Sequence, residues 1–123
     1  MKLSLVVRGQ HRVGEDMRER LQDDLELVRR AGAWAVSLLG GDQDELARRF
    51  AAGRPPLVHW NGVATREGML APLIEGAVGW IEARTRAEHD AGDHTFFIGD
   101  VVNVEHGPAT SALMYRESTY HRL

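Results

Sequence analysis

The sequence predicts a mainly β domain interrupted by two helices, built as a barrel or a large sheet with helical connections. Three observations carry that class. From Gly76 to His106, residues alternate with a period of two on either side of a polar turn. Two other segments repeat apolar residues at spacings of three and four. Short β-branched or apolar runs mark the beginning, the middle and the end of the chain.

Taken in order, Lys2 to Arg8 (KLSLVVR) reads as a strand and Gly9 to Gly14 as a polar loop. Glu15 to Arg30 reads as a helix, with Met17, Leu21, Leu25 and Val28 on one face. Glu15 and Asp16 at its start and Arg29 and Arg30 at its end match the helix dipole, and Gly32 supplies a stop. Ala33 to Leu39 is a short buried strand. Asp42 and Glu45 form a capping box for a second helix, Gln43 to Ala52, ended by Gly53-Arg54-Pro55-Pro56. From Leu57 to Leu73 only short strand pieces stand out, near Val58 to Trp60 and Val63 to Arg66, broken by Gly62, Gly68 and Pro72.

The long hairpin follows. Its first arm puts Val78, Trp80, Glu82, Arg84 and Arg86 on one face, opposite Ala77, Gly79, Ile81, Ala83 and Thr85. Its second arm puts Phe96, Ile98, Val102 and Val104 opposite Thr95, Phe97, Gly99 and Val101. His89 to Asp93 contains the Asp and Gly that a tight reversal needs. A hairpin this long is expected to form the wall of a barrel or large sheet. Ala112 to Arg116 is a last strand, and Glu117 to Leu123 a polar tail.

At 123 residues, the chain is expected to be a single domain spanning 1–123. Its net charge of −3 and the lack of any Lys/Arg run argue against a nucleic-acid partner. With no cysteine, disulfides and thiolate chemistry are excluded. No stretch has the length or apolarity of a membrane span, and Lys2 to Val7 is too short for a secretory leader, so a cytoplasmic protein is expected. The six histidines show no HxH, HxxxH or HExxH spacing, and no nucleophile elbow, P-loop or Rossmann glycine pattern is present. That inventory suits a protein whose chemistry belongs to a bound cofactor, and suits a non-enzyme equally.

Five segments, in their order and spacing, make the second half specific. They are Ala33 to Leu39 (AWAVSLL), Asp42 to Ala51 (DQDELARRFA), and Ala71 to Ala77 (APLIEGA) with Trp80-Ile81-Glu82. Gly92 to Val101 (GDHTFFIGDV) and Ala112 to Tyr115 (ALMY), with Tyr120 near the end, complete the set. Over roughly residues 31 to 123 the chain resembles the flavin reductase-like family, an FMN-binding split β-barrel whose members are usually homodimers. The resemblance implies NAD(P)H-dependent reduction of FMN, supplying a monooxygenase partner. Family members usually begin with further strands that contact the FMN phosphate and ring edge; Leu3 to Val7 looks like the strand after those. An N-terminally truncated barrel is therefore expected, with weak FMN binding unless the first helix, a second subunit or a partner covers the exposed edge.

The same resemblance implies the site residues. His94 lies in the Gly92-Asp93-His94 segment beside the flavin. There it can donate a hydrogen bond or balance the reduced ring's charge, while Asp93 fixes its tautomer. The plainer alternative is a turn-closing Asp followed by a strand-start His that caps backbone groups. Arg48 or Arg49 can meet a phosphate and Phe50 can line the ring edge; the plainer alternative is a solvated helix face and a core phenylalanine. Gly76 and Ala77 match a segment near the flavin, where glycine lets backbone approach closely, although a strand-entry turn explains it too. The competing functional reading is a flavin-free derivative of the scaffold, dimeric, binding a small molecule or a partner.

Overall fold

The computed structural model describes residues 2–8, 25–52, 56–92 and 94–123, with backbone alone for 2–8, 56 and 57. Its centre is the hairpin of β5 (Gly79–Ala91) and β6 (His94–His106). Ala91 pairs with His94, so the chain reverses between them. Gly92 has φ +75°, in the left-handed region that this kind of loop demands and glycine adopts without cost. Strand therefore continues through His89, Asp90 and Ala91, which the sequence assigns to the turn.

β1 (Lys2–Arg8) pairs with β6, and β2 (Ala33–Leu38) with β5, giving an antiparallel four-stranded sheet of order β1-β6-β5-β2. Two ribbons complete the strands: β3 (Thr65–Glu67) with β4 (Pro72–Ile74), and β7 (Leu113–Arg116) with β8 (Thr119–Arg122). Between them lie helices α1 (residues 25–31), α2 (Asp44–Ala51) and α3 (Pro56–Trp60). The class is mainly β, as the sequence predicts. Among the described residues, β1 and β2 remain the two edges of the large sheet.

Two irregularities bend the hairpin. Glu82 pairs with Asn103 and Ala83 with Val101, leaving Val102 as an extra residue on β6. Thr85 pairs with Gly99 and Ala87 with Ile98, leaving Arg86 extra on β5. Such bulges sharpen local twist, and here opposite faces of the sheet are covered at its two ends. Toward the loop, Trp34, Ala83 and Phe97 pack under Leu25 and Val28 of α1. Toward Gly79, Trp80 packs with Leu73, Ala77 and Ala35 beneath the β3–β4 ribbon. Both buried indoles are satisfied: Trp34 Nε1 donates to Thr85 Oγ1 at 3.1 Å and Trp80 Nε1 to the Ile74 carbonyl at 2.8 Å. The period-two faces read from the sequence hold, with Thr95 and Phe97 inward and Phe96, Val102 and Val104 outward.

Several expectations are corrected. Val58 to Trp60 lies in α3, because Pro56 occupies the first helical position, where its fixed φ favours a helix. The tail Glu117 to Leu123 contains β8, turned back by Glu117 (φ 51°) and Ser118 (φ 62°). Helix α2 begins at Asp44 with Gln43 as N-cap and no side-chain cap, replacing the expected Asp42 capping box. Pro72 opens β4 instead of breaking it, a first-strand position that needs no N–H. The expected first helix is described only from residue 25, so Met17 and Leu21 lie outside the described residues. Among the described residues no helix is long and apolar enough to cross a membrane.

Candidate functional site

The expected site residues fall at two places. Gly92 and His94 sit at the hairpin loop, where half-buried His94 opens β6 in register with Ala91 on one side and Arg8 on the other. Asp93 lies outside the described residues. Gly76 and Ala77 sit at the opposite end, just before β5. Gly76 has φ +81°, and Ala77 is wholly buried in the core with Leu73 and Trp80. The methyl of Ala77 is thus core, and its carbonyl accepts from Ala109 N at 3.3 Å. The 13 residues of β6 correspond to roughly 40 Å of extended strand along the chain between the two groups.

Helix α2 belongs to the Gly76 end, and Gln43 makes the connection. Its Oε1 accepts from Gly40 N and its Nε2 donates to the Glu75 carbonyl, each at 2.8 Å. Phe50 on α2 meets Trp60 edge-on at 5.0 Å between centroids and His59 at 5.4 Å. Phe50 and Trp60, with Trp34, Leu39 and Ile74, line a cavity of about 400 Å³ between α2, β2 and β4. Arg49 Nη2 donates to the Asn61 carbonyl at 2.7 Å, tying α2 to the segment after α3. Arg48 stands 4.8 Å over the Tyr120 ring and 3.5 Å from Asp44 Oδ2. Phe50 is therefore a cavity wall, while both arginines already engage protein groups at the cavity's margin.

The sequence reading gave no role to the group that shapes this cavity. Glu82 is fully buried, and its carboxylate accepts from Met69 N (3.1 Å), Leu70 N (2.8 Å), Ala71 N (3.2 Å) and Asn103 Nδ2 (2.9 Å). Burial pushes its pKa up, but the bonds from Asn103, Leu70, Met69 and Ala71 outweigh that and hold it below the ordinary carboxylate range. Asn103 also reaches Glu105 (3.1 Å), which pairs with Arg66 (2.9 Å), whose guanidinium lies 4.5 Å over the Trp80 ring. This network fixes the turn that presents Ala71, Pro72 and Ile74 to the cavity. A charged residue at an inward strand position beside Trp80 was the available signal.

An apolar, aromatic-lined recess of this size can hold a flat ring. The one hydroxyl lining it, on Ser37, accepts from Ile74 N at 3.2 Å, so the walls offer binding and not covalent chemistry.

The sequence profile of the family described as "Flavin reductase like domain" matches residues 19–123. The chain belongs to the flavin reductase-like family. This flavin reductase-like chain is 34% identical over 96 residues to an NADH-dependent FAD reductase of Streptomyces globisporus, covering 72% of this chain and 51% of the relative. It is 35% identical over 99 residues to the reductase component of 4-hydroxyphenylacetate 3-monooxygenase of Thermus thermophilus, covering 80% and 60%. The chain thus spans about half to three-fifths of these relatives' length. Its structure superposes on the NADH:FAD oxidoreductase of Streptomyces globisporus C-1027 with a TM-score of 0.79 at 25% identity, over 99% of this chain and 68% of that one. The fold is that of the split-barrel flavin reductases.

Proposed function

We propose that this protein uses NAD(P)H to reduce a flavin, FMN foremost, and supplies the reduced flavin to a monooxygenase in a cytoplasmic setting. The observation that carries the reading is the family match across residues 19–123, supported by relatives named as NADH-dependent FAD reductase and as a monooxygenase's reductase component.

The residues present fit a flavin. Trp34, Phe50 and Trp60 give aromatic wall for a planar ring, and Arg48 and Arg49 place positive charge on the adjoining helix for its phosphate. A bound flavin would supply the redox chemistry, and the chain's own residues would bind and orient it. The walls exclude water, and the backbone at Gly76 permits close approach. The role of His94 is to donate a hydrogen bond to the nicotinamide or to the reduced ring.

Because the length of β6 separates His94 from α2, we infer a homodimer in which the hairpin loop of one copy reaches the α2 end of the other. Half-exposed Leu38, Trp60, Val102 and Val104 supply apolar surface for that contact.

The test is a titration of FMN and of FAD followed by quenching of flavin fluorescence. Saturable quenching, weakened at least tenfold by Phe50→Ala, is expected. No saturable quenching with either flavin overturns the reading and leaves a flavin-free small-molecule-binding scaffold in its place.

A further inference from the structure

Asn61 and Gly62 form the turn that follows α3, and both are exposed. Val63 N closes the turn by donating to the Trp60 carbonyl at 3.1 Å. Gly62 has φ +73°, and a Cβ there would meet nothing within 4 Å, so the space beside its amide is open. The sequence holds one other asparagine, Asn103. Its side-chain amide is held in the core network, donating to Glu82 at 2.9 Å and to Glu105 at 3.1 Å.

A cation stands on the backbone of this turn. Arg49 Nη2 of α2 donates to the Asn61 carbonyl at 2.7 Å, a charge-assisted hydrogen bond. That oxygen belongs to the same peptide unit as the Gly62 amide. When the amide gives its proton to solvent, the negative charge is shared between the nitrogen and this oxygen. A guanidinium held where charge develops favours the anion, as donors in an oxyanion hole do. The deprotonated nitrogen is the nucleophile in the cyclisation of an Asn-Gly pair, and its target is the side-chain carbonyl carbon of Asn61.

We propose that Asn61 is a site of self-deamidation promoted by Arg49. The Gly62 nitrogen bonds to Asn61 Cγ, the Cγ–Nδ2 bond breaks, and ammonia leaves after taking a proton from solvent. Water then opens the cyclic imide at either of its carbonyls, giving aspartate or isoaspartate. The net change consumes a water and releases an ammonia, with nothing oxidised or reduced. The new carboxylate lies beside Arg49, and the adjoining Trp60 lines the aromatic cavity. Each conversion therefore adds a negative charge at the margin of that cavity.

The test is to incubate the full chain at neutral pH and 37 °C, without flavin or reductant, and follow it by peptide mapping. The peptide holding Asn61 is expected to gain about 1 Da, with isoaspartate among the products, while Asn103 stays intact. Arg49→Leu is expected to slow the conversion about threefold to tenfold, the scale of one hydrogen bond to a charged group. Arg49→Lys, which keeps a cation within reach, is expected to retain most of the rate. Arg49 is exposed, so unchanged thermal melting serves as the folding control. Conversion of Asn61 no faster than that of Asn103, or an equal rate in Arg49→Leu and wild type, overturns the proposal. A protein that reduces no flavin but converts Asn61 as described would lose the reductase reading and keep this site.

Discussion

The Leu70 amide donates a 2.8 Å hydrogen bond to the fully buried carboxylate of Glu82. Met69 and Ala71 donate to the same group, so three successive amides of one turn close on a single charge that the central sheet supplies. Glu82→Gln keeps the volume but turns an amide NH₂ toward these donors. We expect a loss of about 2–3 kcal/mol, the scale of charged hydrogen bonds left unmade. Urea unfolding measures it, and wild-type stability in Glu82→Gln would contradict this role.

The same carboxylate sets a pH dependence. Its folded pKa lies below the ordinary value of 4.5, so its contribution is complete above that value. The contribution is lost as pH falls through the lowered folded pKa. Thermal melts between pH 7 and pH 3 are expected to converge for wild type and Glu82→Gln at the acid end. A gap that stays constant or widens on acidification runs against that sign.

Gly107 lies against the peptide of Ala77. A methyl group at Gly107 would overlap the Ala77 carbonyl and stand 3.1 Å from the Val78 carbonyl carbon, neither of which can rotate away. Gly107→Ala is expected to cost about 1–3 kcal/mol by overpacking. A melting temperature within a degree of wild type would be the contrary result.

The hairpin was legible because its inward residues, Thr95 and Phe97 among them, keep strict alternation up to the Val102 bulge. Trp60 was misread because Val58 and Trp60 on either side of His59 look like strand alternation until Pro56 is weighed as a helix start. The β7–β8 turn could not be read: Glu117 and Ser118 both take positive φ with neither Asn nor Gly to announce it. Glu82 was placed on the correct face, but three of its four partners are backbone amides, which leave no trace in residue identity. The placement of His94 at the hairpin loop and of Phe50 on α2 is a separation along the fold that a family resemblance does not give, since it names site residues without placing them.

That separation gives a prediction for mixed dimers. Light scattering should report a dimer at micromolar concentration. His94→Ala and Phe50→Ala should each lose flavin reduction on the order of tenfold to a hundredfold. Refolded together in equal amounts, they are expected to recover roughly a quarter of the wild-type rate, because half the dimers are mixed and each holds one whole site. A monomer, or no recovery on mixing, would remove the shared site.

The most direct measurement is anaerobic reduction of FMN by NADH or NADPH, followed as loss of the oxidised flavin's visible absorbance. Bleaching at a rate proportional to protein concentration, saturating in both FMN and reductant, is the expected result. A rate no faster than in protein-free buffer, with both reductants and with FAD in place of FMN, would contradict the assignment as a flavin reductase.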